Sequence, residues 1–523
     1  MRRLLAALGL AASAALAACA HQAAPGAPAE AAKLATAQAP ASQAAAPQPV
    51  PERVRIPPLG PAPDLVLPPQ QHFRLSNGLA VRLVEYRRLP IVALNLVVDA
   101  GGVHDPKEKP GLAGFTAAML TEGTKRRSST GISDEVGFLG ASLGAGAGFD
   151  QASLSASGLS RHLDPLLDLF ADVLLHPSFP AADFARVKDQ RLVTLVQQRD
   201  QPGAIASRAF ASTFWGPHPY GHWLLGTEEA LAATTREDLA RFHATWWRPG
   251  RAELVVVGDV SREELQAKLE RALHAWKGSP PPPAKPADHA APATRTVLLE
   301  KSGAPQAFLI LGMPGFERAS PDYVPAEVAF QILGGGMASR LFRNLREEKG
   351  YTYGMYAHPE ARKLGGASVL GGSVKADVTG KALVEVLREL QRMREEKPSD
   401  RELADAKASL VLSLPADFST AGSIASKLAE EVIYGLPDDY WTRYVDEVEK
   451  VTGEDVQRIA AKYLDPARLL TVMVADPVSV KPQLAGLPLG EVEVRPAPAP
   501  STAPRKPEAP AGGLKPPAAA PQR

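Results

Sequence analysis

The side chains that could grip a metal are few and poorly spaced. The chain of 523 residues has eleven histidines and one cysteine, Cys19, so disulfides and cysteine-based zinc sites are excluded. Only His218 and His222 stand at the spacing that puts two imidazoles on one helical face, and Pro217, Pro219 and Gly221 break any helix there. Asp189, on a charged stretch between Asp183 and Gln198, is a lone carboxylate and reads as part of a solvated helix face. In the run Gly111-Leu-Ala-Gly-Phe-Thr-Ala-Ala-Met-Leu-Thr-Glu-Gly-Thr124, Gly114, Ala117 and Ala118 can neither donate a lone pair nor accept a proton.

A second segment is richer. Leu333-Gly-Gly-Gly-Met-Ala-Ser-Arg-Leu-Phe-Arg-Asn-Leu-Arg346-Glu-Glu-Lys-Gly-Tyr351-Thr-Tyr353 has a Gly-rich entry, an arginine-bearing helix, a glycine turn and a tyrosine seven residues after Arg346. Periodicity predicts a helix over 337–348 with Met337, Leu341, Phe342 and Leu345 as its apolar stripe. Arg346 falls at the edge of that stripe, and Arg340 and Arg343 fall on the polar side. Gly334, Gly335 and Gly336 either keep backbone open for a passing peptide or only bend the chain between two helices.

The elements that position these residues come as one unit used twice. Thr235 to Asp259 lies over Thr452 to Asp476 without gaps, and ten of the 25 pairs are identical. Each copy reads as a Thr-capped helix with acids in its first turn, a stop near Pro249 or Pro466, then a strand. The first copy opens with alternation over Leu79–Glu85 and Ile91–Val98, expected to pair early, followed by helical periods at 160–175, 183–198 and 236–247. The second repeats the order, with strands near 295–300 and 306–313 and helices near 321–333, 337–348 and 379–395. The fold class is therefore α+β: two homologous α/β units, each a mainly antiparallel sheet backed by helices. The expected boundaries are 69–278 for the first unit, 279–293 for a Pro-rich linker, 294–488 for the second unit and 489–523 for a disordered Pro/Ala-rich tail. The formal net charge of +1 argues against nucleic acid as a partner.

The N-terminus has its own signals. Met1-Arg2-Arg3 followed by an apolar stretch from Leu4 to Ala18 suits a signal peptide over 1–18 and is too short to span a bilayer. Leu16-Ala17-Ala18-Cys19 resembles a bacterial lipobox, which implies cleavage before Cys19 and lipid on its sulfur. Residues 19–68 form an Ala/Pro-rich tether. The expected location is the bacterial cell envelope, lipid-anchored, with Ala20 favouring the outer membrane facing the periplasm.

The frame around Gly114 resembles the opening helix of the pitrilysin/insulinase family of zinc peptidases, where a comparable Gly-Leu-Ala precedes His-x-x-Glu-His and Met-Leu and Gly-Thr follow it. On that resemblance Gly114 and Ala118 occupy the histidine places and Ala117 the glutamate place. The family's third ligand is a glutamate on a later helix, near Asp189 here. The stretch Trp215 to Thr227 resembles a loop of the same family, and the similarity covers the core from about 72 to 486. The resemblance implies that Arg346 and Tyr353, which match the family's other signature residue by residue, hydrogen-bond the substrate main chain and steady the tetrahedral intermediate. A charged fork and a phenol are strong donors to an oxyanion in a closed chamber.

The resemblance implies a non-catalytic subunit of a two-subunit peptidase, closing the chamber and acting in trans on the zinc site of a heterodimer partner. No cofactor is expected on this chain, with zinc in the partner. Substrates would be peptides or unfolded segments, held partly by strand addition to a sheet edge. The alternative is a structural or peptide-binding lipoprotein with no role in proteolysis.

Overall fold

Strand alternation and helical period compete along the whole core, and the outcome is two sheets of six strands each, separated and covered by helices. The computed structural model describes residues 67–282 and 293–499, which belong to one compact unit starting at Ala62. The signal segment, Cys19, the tether up to residue 66, linker residues 283–292 and the chain after residue 499 lie outside the described residues. None of the described helices is long and apolar enough to cross a membrane.

The first sheet contains β1 (Gln70–Arg74), β2 (Ala80–Glu85), β3 (Ile91–Val98), β4 (Ser142–Ala147), β5 (Ala152–Leu159) and β6 (Ala252–Gly258) in the order β1-β2-β6-β3-β5-β4. The second contains β7 (Arg295–Glu300), β8 (Gln306–Pro314), β9 (Thr352–Arg362), β10 (Gly365–Lys375), β11 (Leu470–Ala475) and β12 (Glu491–Pro496) in the order β12-β7-β11-β8-β10-β9. Position by position the orders are equivalent, with β6 and β11, the strands of the repeated 25-residue segment, at matching places. Both sheets are mixed. β2 and β6 run parallel, as do β7 with β11 and with β12, while the remaining pairs are antiparallel.

Three expectations change. The strands at 79–85 and 91–98 do not pair with each other, because β6, brought back from far along the chain, lies between them. The tail does not begin at 489. Glu491-Val-Glu-Val-Arg495 alternates, and as β12 it covers the outer side of β7, the place that β1 takes beside β2 in the first half. The covering of β7 thus comes from the far end of the chain.

The helix over 337–348 is the third. It starts at Arg340, runs as α over Arg340–Phe342 and widens into a π turn over Arg343–Glu348. Met337 stays outside it, 73% exposed. Arg340 is buried, because Glu402, in the first turn of the helix Asp400–Asp417, meets its guanidinium fork at 2.7 and 3.1 Å.

The halves exchange helices. Pro202–Trp215, from the first half, packs on β8 and β11, and Ala421–Tyr434, from the second, packs on β3 and β6. Phe210, Phe214 and Trp215 thereby join one apolar cluster with Ile310, Leu470 and Val472. Neither half closes its core alone, since each sheet needs a helix from the other half to cover one of its faces.

Candidate functional site

The helix Leu112–Met119 carries the degenerate frame. Phe115, Ala117 and Met119 are buried in the first core, and Ala117 has no exposure at all. A Cβ placed on Gly114 would meet the main-chain oxygen of Leu224 at 3.3 Å and Nη2 of Arg191 at 3.5 Å. Arg191 comes from the helix Ala181–Gln198, between Val187 and Leu195, which are buried one turn to either side. Its Nη2 reaches the main-chain oxygens of Gly111 at 3.4 Å and Leu225 at 3.5 Å, and its guanidinium lies 5.2 Å from the centre of the Phe115 ring. Burial lowers its pKa to about 10, opposed by the Asp105 charge, so it remains a cation at neutral pH. Asp189 is exposed on the same helix.

The histidines have other partners. Nδ1 of buried His218 accepts from the Tyr220 N–H at 3.1 Å, and His222 stands 3.1 Å from Asp105, which accepts the N–H groups of Gly111 and Ala113 at 2.7 Å each. Among the described residues no three His, Cys, Asp or Glu side chains come together to hold a metal ion. The positions at 114, 117 and 118 do not fit zinc: they offer no lone pair, and a guanidinium already faces Gly114.

Arg346 and Tyr353 are brought together, through the backbone. Arg346 lies in the π turn, closed by Lys349 N–H to Asn344 O at 3.0 Å and Tyr351 N–H to Leu345 O at 2.8 Å. Its Nη1 donates to the main-chain oxygen of Tyr353 at 2.9 Å, and its Cζ lies 4.9 Å from the Phe342 ring centre.

Tyr353 is the extra residue of a β-bulge. In the β9–β10 ladder Gly354 faces Ser373 and Thr352 faces Val374, with Tyr353 skipped. The bulge shifts the inward–outward phase by one residue, so Tyr353 and Tyr356, three apart, are both exposed, at 80% and 49%. Thr352 stitches the bulge from inside: its hydroxyl donates to Ser373 O at 2.5 Å and lies 3.0 Å from Gly354 O, and it accepts the Gly354 N–H at 2.9 Å. A Cβ on Gly354 would fall 2.8 Å from the hydroxyl end of the Tyr356 ring, which therefore packs against the glycine.

The three candidate glycines separate. Gly334 is buried and lets the helix Tyr323–Gly334 approach β9, where a Cβ would sit 2.4 Å from the Ala357 nitrogen. That is a packing role. Gly335 is exposed, and a Cβ on Gly336 would meet nothing closer than 3.9 Å.

The other end of β9 is docked. Arg362 lies over the rings of Phe149 and Tyr220 at 4.3 and 4.8 Å. The Leu364 N–H donates to the Tyr220 hydroxyl at 2.9 Å, and the Lys363 N–H to Asp150 at 3.2 Å. The strand between Thr352 and Arg362 spans roughly 30 Å. The Arg346–Tyr353 pair and the Gly114 region, whose neighbour His222 stacks edge-on to Phe149 at 5.4 Å, are thus at opposite ends of β9.

Sequence reasoning missed Thr352, Gly354, Tyr356 and Arg191. The broken alternation in Thr-Tyr-Gly-Met-Tyr-Ala was the signal for the first three. For Arg191, the signal was its place on the apolar 187/191/195 face.

Two duplicated α/β halves, a blank opening helix in the first and an Arg–Tyr pair in the second define the architecture of an insulinase-type peptidase. Residues 83–228 match the model for Insulinase (Peptidase family M16), and residues 233–410 match that for the Peptidase M16 inactive domain. The chain is similar to a crystal structure of the peptidase M16 inactive domain from Pseudomonas fluorescens: 31% identity, TM-score 0.75, covering 79% of this chain and 100% of that one. It is 25% identical over 370 residues to the Bacillus subtilis (strain 168) protein called uncharacterized zinc protease YmxG, covering 70% of this chain and 88% of that one. It is 23% identical over 376 residues to the Helicobacter pylori non-peptidase homolog YmxG, covering 71% and 86%. The chain belongs to the insulinase family, peptidase family M16.

Proposed function

We propose that this chain is the non-catalytic member of a two-chain M16 peptidase, closing the chamber and presenting Arg346 and Tyr353 to a substrate held at a partner's zinc. The observation that carries the reading is the placement of the pair. It stands at the opposite end of β9, roughly 30 Å by strand length, from the tip that touches its own first half. A pair so placed serves a site on another chain better than one beside Gly114. The family likeness to an inactive domain and to a non-peptidase homologue supports the same reading.

The partner's zinc would activate water and polarise the scissile carbonyl. This chain would bind and orient. The exposed Tyr353 phenol donates to substrate oxygen, and the Arg346 guanidinium has one of its five N–H donors committed to the Tyr353 backbone and the others available to the peptide. β9 and β4 end their sheets, so each offers an edge to an extended peptide. Lipid on Cys19 would hold the assembly at the envelope, with the Ala/Pro-rich tether setting its reach.

The test mixes the full chain with a zinc-bearing M16 chain of the same organism and follows a quenched peptide. The expected result is a stable complex and hydrolysis that needs both chains. A zinc-bearing chain that forms the complex and is equally active without this one would leave the structural lipoprotein as the better reading.

A further inference from the structure

The mismatch between the blank motif and zinc has a positive side. A metal in this fold would tie the helix Leu112–Met119 to the helix Ala181–Gln198, a joining role that bound ions commonly add to folding. Arg191 makes that connection from its own side chain. Rooted in the second helix, it reaches Gly111 O at the start of the first and Leu225 O in the loop after His222, and it covers the Phe115 ring. Asp105, held by the Gly111 and Ala113 N–H groups, supplies the counter-charge. The guanidinium stands where a side chain at position 114 would have to grow.

We propose that Arg191 has taken the structural place of the metal, clamping the two helices and the 223–226 loop together and keeping divalent cations away from Gly114. The alternative, an arginine that merely packs there, predicts neither the clamp nor the exclusion.

The test uses the full chain. Its melting temperature should be the same in zinc and in excess chelator. Arg191→Met keeps the apolar stem over Phe115 and should lower the melting temperature by about 3 °C or more. Arg191→Lys should recover only part, since an ammonium can meet the two carbonyls but gives up the guanidinium plane beside the Phe115 ring. Gly114→His/Ala118→His restores two imidazoles one turn apart. Adding Arg191→Met to it should tighten zinc binding, read by competition with a metal indicator, by at least about tenfold. Zinc stabilisation of the parent chain, a Met variant as stable as the parent, or zinc affinity indifferent to Arg191 would each overturn the proposal. If the double-histidine chain does not fold, the Met and Lys melting series decides by itself.

Discussion

Nη1 of Arg346 holds the main-chain oxygen of Tyr353 at 2.9 Å, and Tyr353 is the one residue that the β9–β10 ladder skips. The bulge leaves Tyr353 outside the ladder, and the arginine satisfies its carbonyl. The phenol is then aimed outward from a backbone fixed on both sides. Arg346 thereby sets the position of Tyr353, and under the proposed function it would also donate to substrate.

In the reconstituted peptidase, Tyr353→Phe should lower turnover by roughly a hundredfold, on the order of 3 kcal/mol, because one donor to a charging oxygen is lost. Arg346→Ala should cost at least as much. The double variant should cost less than the sum if the two act on one oxygen. Arg343→Ala is the control: it is exposed and 3.9 Å from Glu402, and it should leave turnover unchanged. Full activity of the double variant with the complex intact would exclude a role for the pair.

Thr352→Val removes the hydroxyl that stitches the bulge while leaving both members of the pair in place. It should destabilise the second half by about 2 kcal/mol and lower turnover as Tyr353→Phe does. Denaturant titration and peptide hydrolysis read the two effects separately. Loss of stability with unchanged turnover would show that the bulge does not aim the phenol.

The contact between the halves should respond to pH. Arg82 faces three carboxylates, Glu253 at 2.9 Å, Asp438 at 3.2 Å and buried Glu431, with Gln70 also on Glu431 and His72 on Asp438. One cation cannot balance three charges. Burial pushes the Glu431 carboxyl up to about 7, with Arg82 pulling down and Asp438 and Glu253 pushing up. The folded state then holds a proton that the unfolded state releases between about 4.5 and 7, so this group's stabilisation is full at the low end and lost as pH rises through 7. Melting temperatures of Glu431→Gln and the parent chain should therefore diverge as pH rises from about 4.5 to 7 and keep a constant gap above that, the Gln variant holding up better. Parallel pH profiles would place an ionised Glu431 in the fold.

Truncation after Gly490 removes β12 and bares the edge of β7. The shortened chain should melt several degrees lower and aggregate more readily, because an open parallel edge is a template for another chain. Truncation after residue 499 should change neither. Light scattering during a thermal ramp distinguishes the two.

Cys19 should be the mature N-terminus and carry lipid. Cys19→Ser should move the protein from the membrane to the soluble fraction without altering its melting temperature, since Cys19 lies about 50 residues before the first strand of the core, Gln70–Arg74. Retention in membranes after a high-salt wash would refute the anchor.

The sequence by itself determined the type of the strongly patterned elements and that one unit comes twice. The aligned 235–259 and 452–476 segments became equivalent helices and equivalent strands β6 and β11, because local period, threonine caps and proline stops are written within a few residues of where they act. It also marked Gly114, Ala117 and Ala118 as blank, since lone pairs are a property of residue type.

Only the tertiary structure decided what depends on distant partners. β6 enters between β2 and β3, β12 covers β7, and each half lends a helix to the other sheet, since an open edge or bare apolar face is closed by whichever segment reaches it. Tyr353 is aimed by a bulge that exists only against Ser373 and Val374. Arg191 faces Gly114 only once two helices far apart in sequence have packed, and no local pattern can record that meeting.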